Sequence, residues 1–293
     1  MKQIERLIFL CILVIAVSVS GLVMNHDAQD TRLEYNNVIR NIQRIGEGTG
    51  FPVHSLNGYR EAYARGFRIL LCDLVFSADD VPICNHDLYL NECYPVYCAD
   101  GTPLETEEPV YLRDCTFETL SGYRYEDVNN PLLSFEEMLA FSKQLGVELY
   151  VEIKDMTQPQ AKIACDLVKE YGMEDKTSWC GTYEQLQWVT QQIDTARVAM
   201  MPMVITDEVI QQTNALKTGN NQVFIFGWYE TVLTDEIVNK LIENDIAYEM
   251  GTINTMAEVV AYFNQGDAYY YCTGIGAMGA MPGRAMVENG LSK

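Results

Sequence analysis

The chain has 293 residues, a hydrophobic content of 48% and a formal net charge of −21. That length suits one large domain, and the apolar content is ample for a core, which excludes a disordered chain. The acidity excludes nucleic acid or an anionic bilayer as a general partner, so an anionic ligand such as a phosphodiester would need local positive groups or a metal ion.

The first segment stands apart. Lys2 and Arg6 precede an apolar run from Leu7 to Met24, broken only by Ser18, Ser20 and Gly21. Its length is near the lower limit of a membrane-spanning helix, and Val19-Ser20-Gly21 is a weak cleavage site. With basic residues before the run and mostly acidic ones after it, the positive-inside rule puts the N-terminus in the cytoplasm. The expectation is a signal anchor at 1–24, a juxtamembrane linker at 25–40 and a barrel at 41–293. The protein would then be single-pass in the cell membrane with its barrel on the extracytoplasmic side, or secreted if the segment is cleaved.

From Asn41 onward, strand-like and helix-like runs alternate. Strand candidates are Ile42 to Gly46, Phe67 to Val75, Val147 to Ile153, Thr177 to Gly181, Arg197 to Val204, Gln222 to Gly227, Ile246 to Gly251 and Ala268 to Thr273. Helical periodicity runs between them over Leu56 to Arg65, Ser134 to Leu145, Pro159 to Tyr171, Tyr183 to Ile193, Asp207 to Leu216 and Thr234 to Asn244, and over Thr255 to Asn264 and Gly279 to Asn289. Ser134 with Glu137, and Thr234 with Asp235 and Glu236, carry N-capping chemistry. Unbroken strand–helix alternation of this kind predicts an α/β fold, a TIM (β/α)8 barrel.

One interval, about 88–131, is irregular. It follows strand two and should project over the carboxyl ends of the strands. Nine cysteines occur in the chain. Cys11 lies in the anchor, while Cys84, Cys93, Cys98 and Cys115 cluster around the irregular interval, where a disulfide is expected to offset weak burial. Cys72, Cys165, Cys180 and Cys272 read as small buried hydrophobes. Gly274-Ile275-Gly276-Ala277-Met278-Gly279 fits a dinucleotide fingerprint, but the chain ends too soon for the strand and acid that such a site needs, so it reads as the last βα loop.

The chemistry-bearing stretch is Gly66 to Asp87. A buried run ends in Asp73, a polar turn follows at Ala78-Asp79-Asp80, and a short run from Val81 to Cys84 presents His86-Asp87. This stretch resembles the signature of the glycerophosphodiester phosphodiesterase family, in which a strand with Glu-x-Asp leads to Thr-x-Asp-Gly-x-Pro-Val and then to His-Asp. Here Leu71-Cys72-Asp73, Ser77 to Ile83 and His86-Asp87 match at the same spacing, with leucine in place of the first acid. Glu152-Ile153-Lys154 resembles the family's Glu-x-Lys, and Arg44-Ile45-Gly46 stands where the family has His-Arg-Gly. Gly251 replaces the tryptophan of a family Trp-Thr-x-Asn.

The resemblance implies metal-dependent hydrolysis of a glycerophosphodiester or related envelope phosphodiester, a role in lipid metabolism. Hard divalent ions prefer carboxylate oxygens, and phosphodiester cleavage needs acid and base groups. The site expected from it has Asp73, Glu152 and Glu47 on a divalent ion, Ca²⁺ or Mg²⁺, with Glu47 standing in for the acid missing at Leu71. Lys154 would steady the phosphate and His86 would protonate the leaving group, with His54 or a metal-bound water taking the role of the missing histidine. Bland readings stand beside these: a structural ion-pair cluster for Asp73, Glu152 and Lys154, a solvated loop acid for Glu47, a packed loop residue for His54. Expected partners are a small-molecule or polymer phosphodiester and, through the N-terminal helix, a membrane. The competing class is an inactive barrel that binds phosphorylated headgroups or envelope polymer.

Overall fold

The computed structural model describes residues 40–46, 48–92, 94–106, 108–228, 234–253 and 272–277. The expected anchor and nearly all of the linker lie outside the described residues. So do the helices expected at 255–264 and 279–289. Among the described residues no helix is long and apolar enough to cross a membrane.

Strands and helices alternate as the periodicity predicts, giving an α/β fold with a mixed sheet. Parallel strands are β1 (Arg40–Arg44), β2 (Ile69–Phe76), β7 (Glu148–Ile153), β8 (Thr177–Gly181), β9 (Arg197–Met200), β10 (Val223–Trp228), β11 (Ala247–Ile253) and β12 (Cys272–Ala277). Each pairs with the next, and β1 pairs in parallel with both β2 and β12, so the pairings return to their start. Two strands end well away from the sequence expectation, the others within two residues of it. β9 stops at Met200, just before Pro202, which cannot continue a ladder. Gly274 and Gly276 lie inside β12, opposite Arg40 and Ile42, so the glycine-rich stretch is strand up to Ala277 rather than loop.

β2 is buried at every position, as a strand packed on both faces must be. Its alternate residues enter two separate apolar clusters. Leu70, Cys72 and Leu74 pack with Leu149, Val151 and Trp179 against helix residues such as Met138, Leu139 and Leu186. Ile69 and Leu71 pack on the other face with Ile42, Tyr150, Ala199 and Phe224. Asp73 shares the second face, so the alternation that buries Leu71 also sets the direction of the acid.

Helix ends follow their capping residues. Ser134 and Glu137 form a reciprocal capping box at the start of α3 (Phe135–Leu145), and Gly146 closes it in the left-handed region at φ 69. Ser55 accepts from Gly58 N at 3.0 Å and caps α1 (Leu56–Ala64). The helix therefore cannot start earlier, and His54 is left in the preceding loop.

The interval after β2 is more ordered than its sequence suggests. β3 (Pro82–Cys84) turns back antiparallel on β2 and pairs onward with β6 (Leu133–Ser134). Between them β4 (Val96–Cys98) and β5 (Tyr123–Tyr125) form a hairpin, with a single turn of helix, α2 (Phe117–Leu120), before β5. Leu90, Val96, Leu112, Leu120 and Tyr125 are all buried there. The premise of a poorly cored interval fails, and with it the need for a staple: Cys84, Cys98 and Cys115 are free thiols. Cys93 lies outside the described residues.

Candidate active site

The carboxyl ends of β1, β2 and β7 bring together the residues that the sequence singles out. Register fixes who meets whom. Leu71 stands opposite Arg44 on β1 and Tyr150 on β7, and Asp73 stands opposite Glu152. The β2–β3 reversal then returns the chain. Its turn is held by Ser77 Oγ donating to Asp79 Oδ1 at 2.7 Å, with Asp80 at φ 59. Asn85 N donates to Asp73 O at 3.2 Å, which puts His86 directly after the strand end.

Asp73 is fully buried. Its Oδ2 receives His54 Nε2 at 3.0 Å, and its Oδ1 lies 3.2 Å from Lys154 Nζ, an ion pair without directed hydrogen-bond geometry. Burial alone would raise its pKa, but the Lys154 charge and the His54 hydrogen bond win and hold the carboxyl far below the usual range. Lys154 also contacts Glu152 Oε1. Burial works against the ammonium, yet the two carboxylates outweigh it and raise its pKa. For Glu152 the balance goes the other way: burial and the nearby Asp73 charge push its pKa up against the pull of Lys154 and Arg44.

His54 is brought to the cluster but faces inward. It is 3% exposed, sits at φ 51, and has Tyr59 OH 3.1 Å from Nδ1 as well as Asp73 at Nε2. Burial lowers its pKa despite the Asp73 hydrogen bond, so the ring is neutral at pH 7. Nε2 then carries the proton given to Asp73, and Nδ1 faces the Tyr59 hydroxyl, whose own proton goes to Leu71 O. With Asp73 at one ring nitrogen and Tyr59 at the other, His54 is held in the interior behind Asp73. Tyr59 OH is also 3.0 Å from Leu71 O. Tyr59→Phe removes this anchor and is expected to lower stability by about 1 kcal/mol in urea titration.

Of the two histidines among the described residues, His86 is the accessible one, with its side chain 29% exposed. Arg44 Nη2 lies 2.8 Å from its Nε2, and a guanidinium can only donate, so Nε2 is the lone-pair nitrogen. Nδ1–H then donates to Asp87 Oδ1 at 2.6 Å. Arg44, which the sequence marks only as an absent histidine, is thus a member of the site. Sequence reasoning also missed Glu249, buried a layer below and accepting from Tyr150 OH at 2.8 Å. A lone acid in the apolar run of β11 was the available signal. Two positions on from it, a Cβ on Gly251 would meet Phe226 Cζ at 2.5 Å, so that ring occupies the space beside Gly251.

The inserted interval grips the site from both sides. Val53 N donates to Glu126 Oε2 at 2.8 Å, and Arg113 Nε pairs with Asp155 Oδ2, next to Lys154, at 2.8 Å.

The resemblance implies a divalent ion, and the described residues do not fit one. Lys154 Nζ lies between the two carboxylates that would have to hold it, and the third position is the buried, apolar Leu71. Among the described residues no group of three His, Cys, Asp or Glu is placed to hold a metal. Glu47 lies outside the described residues.

Residues 46–179, a little under half of the chain, match the model of the Glycerophosphoryl diester phosphodiesterase family. No curated protein matches the sequence. Among solved structures, a Silicibacter pomeroyi DSS-3 protein bearing that family's name superposes with a TM-score of 0.72 at 17% identity, covering 89% of this chain and 98% of its own. An Oleispira antarctica phosphodiesterase in complex with the product sn-glycerol-3-phosphate gives 0.65 at 12% identity, covering 86% and 96%. Glycerophosphodiester phosphodiesterase from Agrobacterium tumefaciens gives 0.62 at 14%, covering 84% and 99%. The fold is therefore shared, and the family's pattern lies over the stretch that carries Asp73 and His86.

Proposed function

We propose that this chain is a phosphodiesterase-like (β/α)8 barrel that binds and hydrolyses a glycerophosphodiester or a related envelope phosphodiester. The observation that carries this reading is the His86–Asp87 pair beside two cations, Arg44 and Lys154, at the carboxyl ends of adjacent parallel strands. That is where barrels place their chemistry. In an acidic chain, these cations supply the local positive charge that a phosphodiester anion needs. The match over residues 46–179 and the product-bound Oleispira relative point to the same substrate class. An extracytoplasmic, membrane-anchored setting belongs to this proposal on the strength of Lys2, Arg6 and the Leu7–Met24 run alone.

The residues suggest a sequence of events. A phosphoryl oxygen engages the Arg44 guanidinium and draws it from His86 Nε2. Asp87 keeps the proton on Nδ1, so the freed Nε2 accepts a proton from the attacking hydroxyl or water. The same nitrogen then returns it to the departing alcohol oxygen. Arg44 and Lys154 offset the charge that builds on the phosphoryl oxygens.

The test is alcohol release from a panel of glycerophosphodiesters by the purified protein, with EDTA, Ca²⁺ or Mg²⁺. His86→Asn is expected to lose about 10²–10⁴-fold in rate. A second reading, binding without cleavage, is favoured by one observation: Arg44 already occupies Nε2. Diester binding with no alcohol release, unchanged in His86→Asn, would establish that reading and end the hydrolase one.

A further inference from the structure

Asp73 and Glu152 are cross-strand neighbours on β2 and β7, and both are buried. Two acids share that position because Lys154 Nζ reaches both, at 3.2 Å from Asp73 Oδ1 and in contact with Glu152 Oε1. A divalent ion using both carboxylates would have to expel Nζ. It would gain nothing from Leu71, which stands next on the same face and offers no oxygen. Arg44 stands opposite Leu71 and exerts its charge on Glu152. One ammonium and one guanidinium thus already serve these two carboxylates, while Asp87 is held by His86 and Glu249 by Tyr150. A divalent ion placed against these carboxylates would lie beside the Lys154 ammonium, and like charges repel strongly at low dielectric.

We infer that Lys154 Nζ is the resident cation of this site and that a phosphodiester binds here, at Lys154 and Arg44, without a divalent metal. The ligand in this inference rests on the proposed function; the cation does not. The two are therefore tested by different measurements.

Calorimetric titration of Ca²⁺ and Mg²⁺ into the full-length protein, stripped with EDTA, decides the cation whether or not any diester is cleaved. The native protein is expected to show no saturable binding. Lys154→Met frees Asp73 and Glu152 to act as oxygen ligands and should bind Ca²⁺ about tenfold or more tightly than the native protein. Lys154→Arg keeps a cation in place and should remain blank. Affinity for sn-glycero-3-phosphocholine should be the same in EDTA and in millimolar Mg²⁺. Saturable metal binding by the native protein that is lost in Asp73→Asn, including a site completed by Glu47, overturns the inference. A folded Lys154→Met that gains no Ca²⁺ binding overturns it as well. If Lys154→Met does not fold, the native and Lys154→Arg titrations still decide it. A native protein that binds neither metal nor diester removes the phosphodiester ligand from the reading and leaves Lys154 as the cation.

Discussion

Asp73→Asn lowers the stability of the folded chain by about 3–5 kcal/mol at pH 7, the usual cost of deleting one partner of a buried ion pair. The substitution preserves shape, so packing is not the cause. It leaves Lys154 paired with Glu152 alone and weakens the charge-assisted bond from His54 Nε2. The pH dependence follows from the depressed folded-state pKa of Asp73. An unfolded aspartate titrates near about 3.9. Above that value Asp73 is ionised in both states and its contribution is complete. As pH falls below it towards the folded-state value, the unfolded chain takes up a proton that the native state refuses, and the contribution is lost. Glu152 acts with the opposite sign. Its raised pKa lets the native state keep a proton that the unfolded chain has already released, so its part of the stability falls as pH rises above the ordinary glutamate value. Urea midpoints at pH 7 and down to pH 3 measure both. The native protein should lose stability steeply below about pH 4, whereas Asp73→Asn should start lower and lose less. Equal midpoints at pH 7 would mean that Asp73 is not paired as described.

The direction of Asp73 was legible in the sequence because it depends only on alternation within one strand, and β2 is an unbroken apolar run. Glu152 and Lys154 were legible in the same way. Their mutual contact was not, because it depends on the β2–β7 register that sets Asp73 against Glu152. Arg44 was legible only as a departure from a motif. Its bond to His86 requires β1 and β2 to pair in register and β3 to fold back on β2, and each of these is a long-range event that no local pattern encodes. His54 illustrates the opposite case. The missing family histidine makes His54 a candidate, but the Ser55 cap and the left-handed backbone turn its ring into the core. The disulfide expectation failed for a related reason. Spacing shows which cysteines are close in sequence, while burial of Leu90, Leu112 and Leu120 under the hairpin is a property of the folded insertion.

Arg44→Met is expected to reduce kcat/KM for the best glycerophosphodiester by about 10²–10³-fold, the range found when one preorganised donor to a developing oxyanion is removed. Two effects combine. The phosphodiester loses the guanidinium beside His86, and His86 Nε2 loses the donor that orients the ring together with Asp87. Arg44→Lys separates them. A lysine restores charge but lacks the planar fork that can hold a phosphoryl oxygen and a ring nitrogen together, so it should recover part of KM and little of kcat. The guanidinium's place opposite Leu71 makes the same point from the apolar side, since neither Leu71 nor the buried Tyr150 beside it can take over the charge. Steady-state kinetics of the three proteins, with folding checked by urea titration, gives the answer. Native kcat/KM in Arg44→Met would show that the diester binds elsewhere on the barrel and that the Arg44–His86 contact is structural.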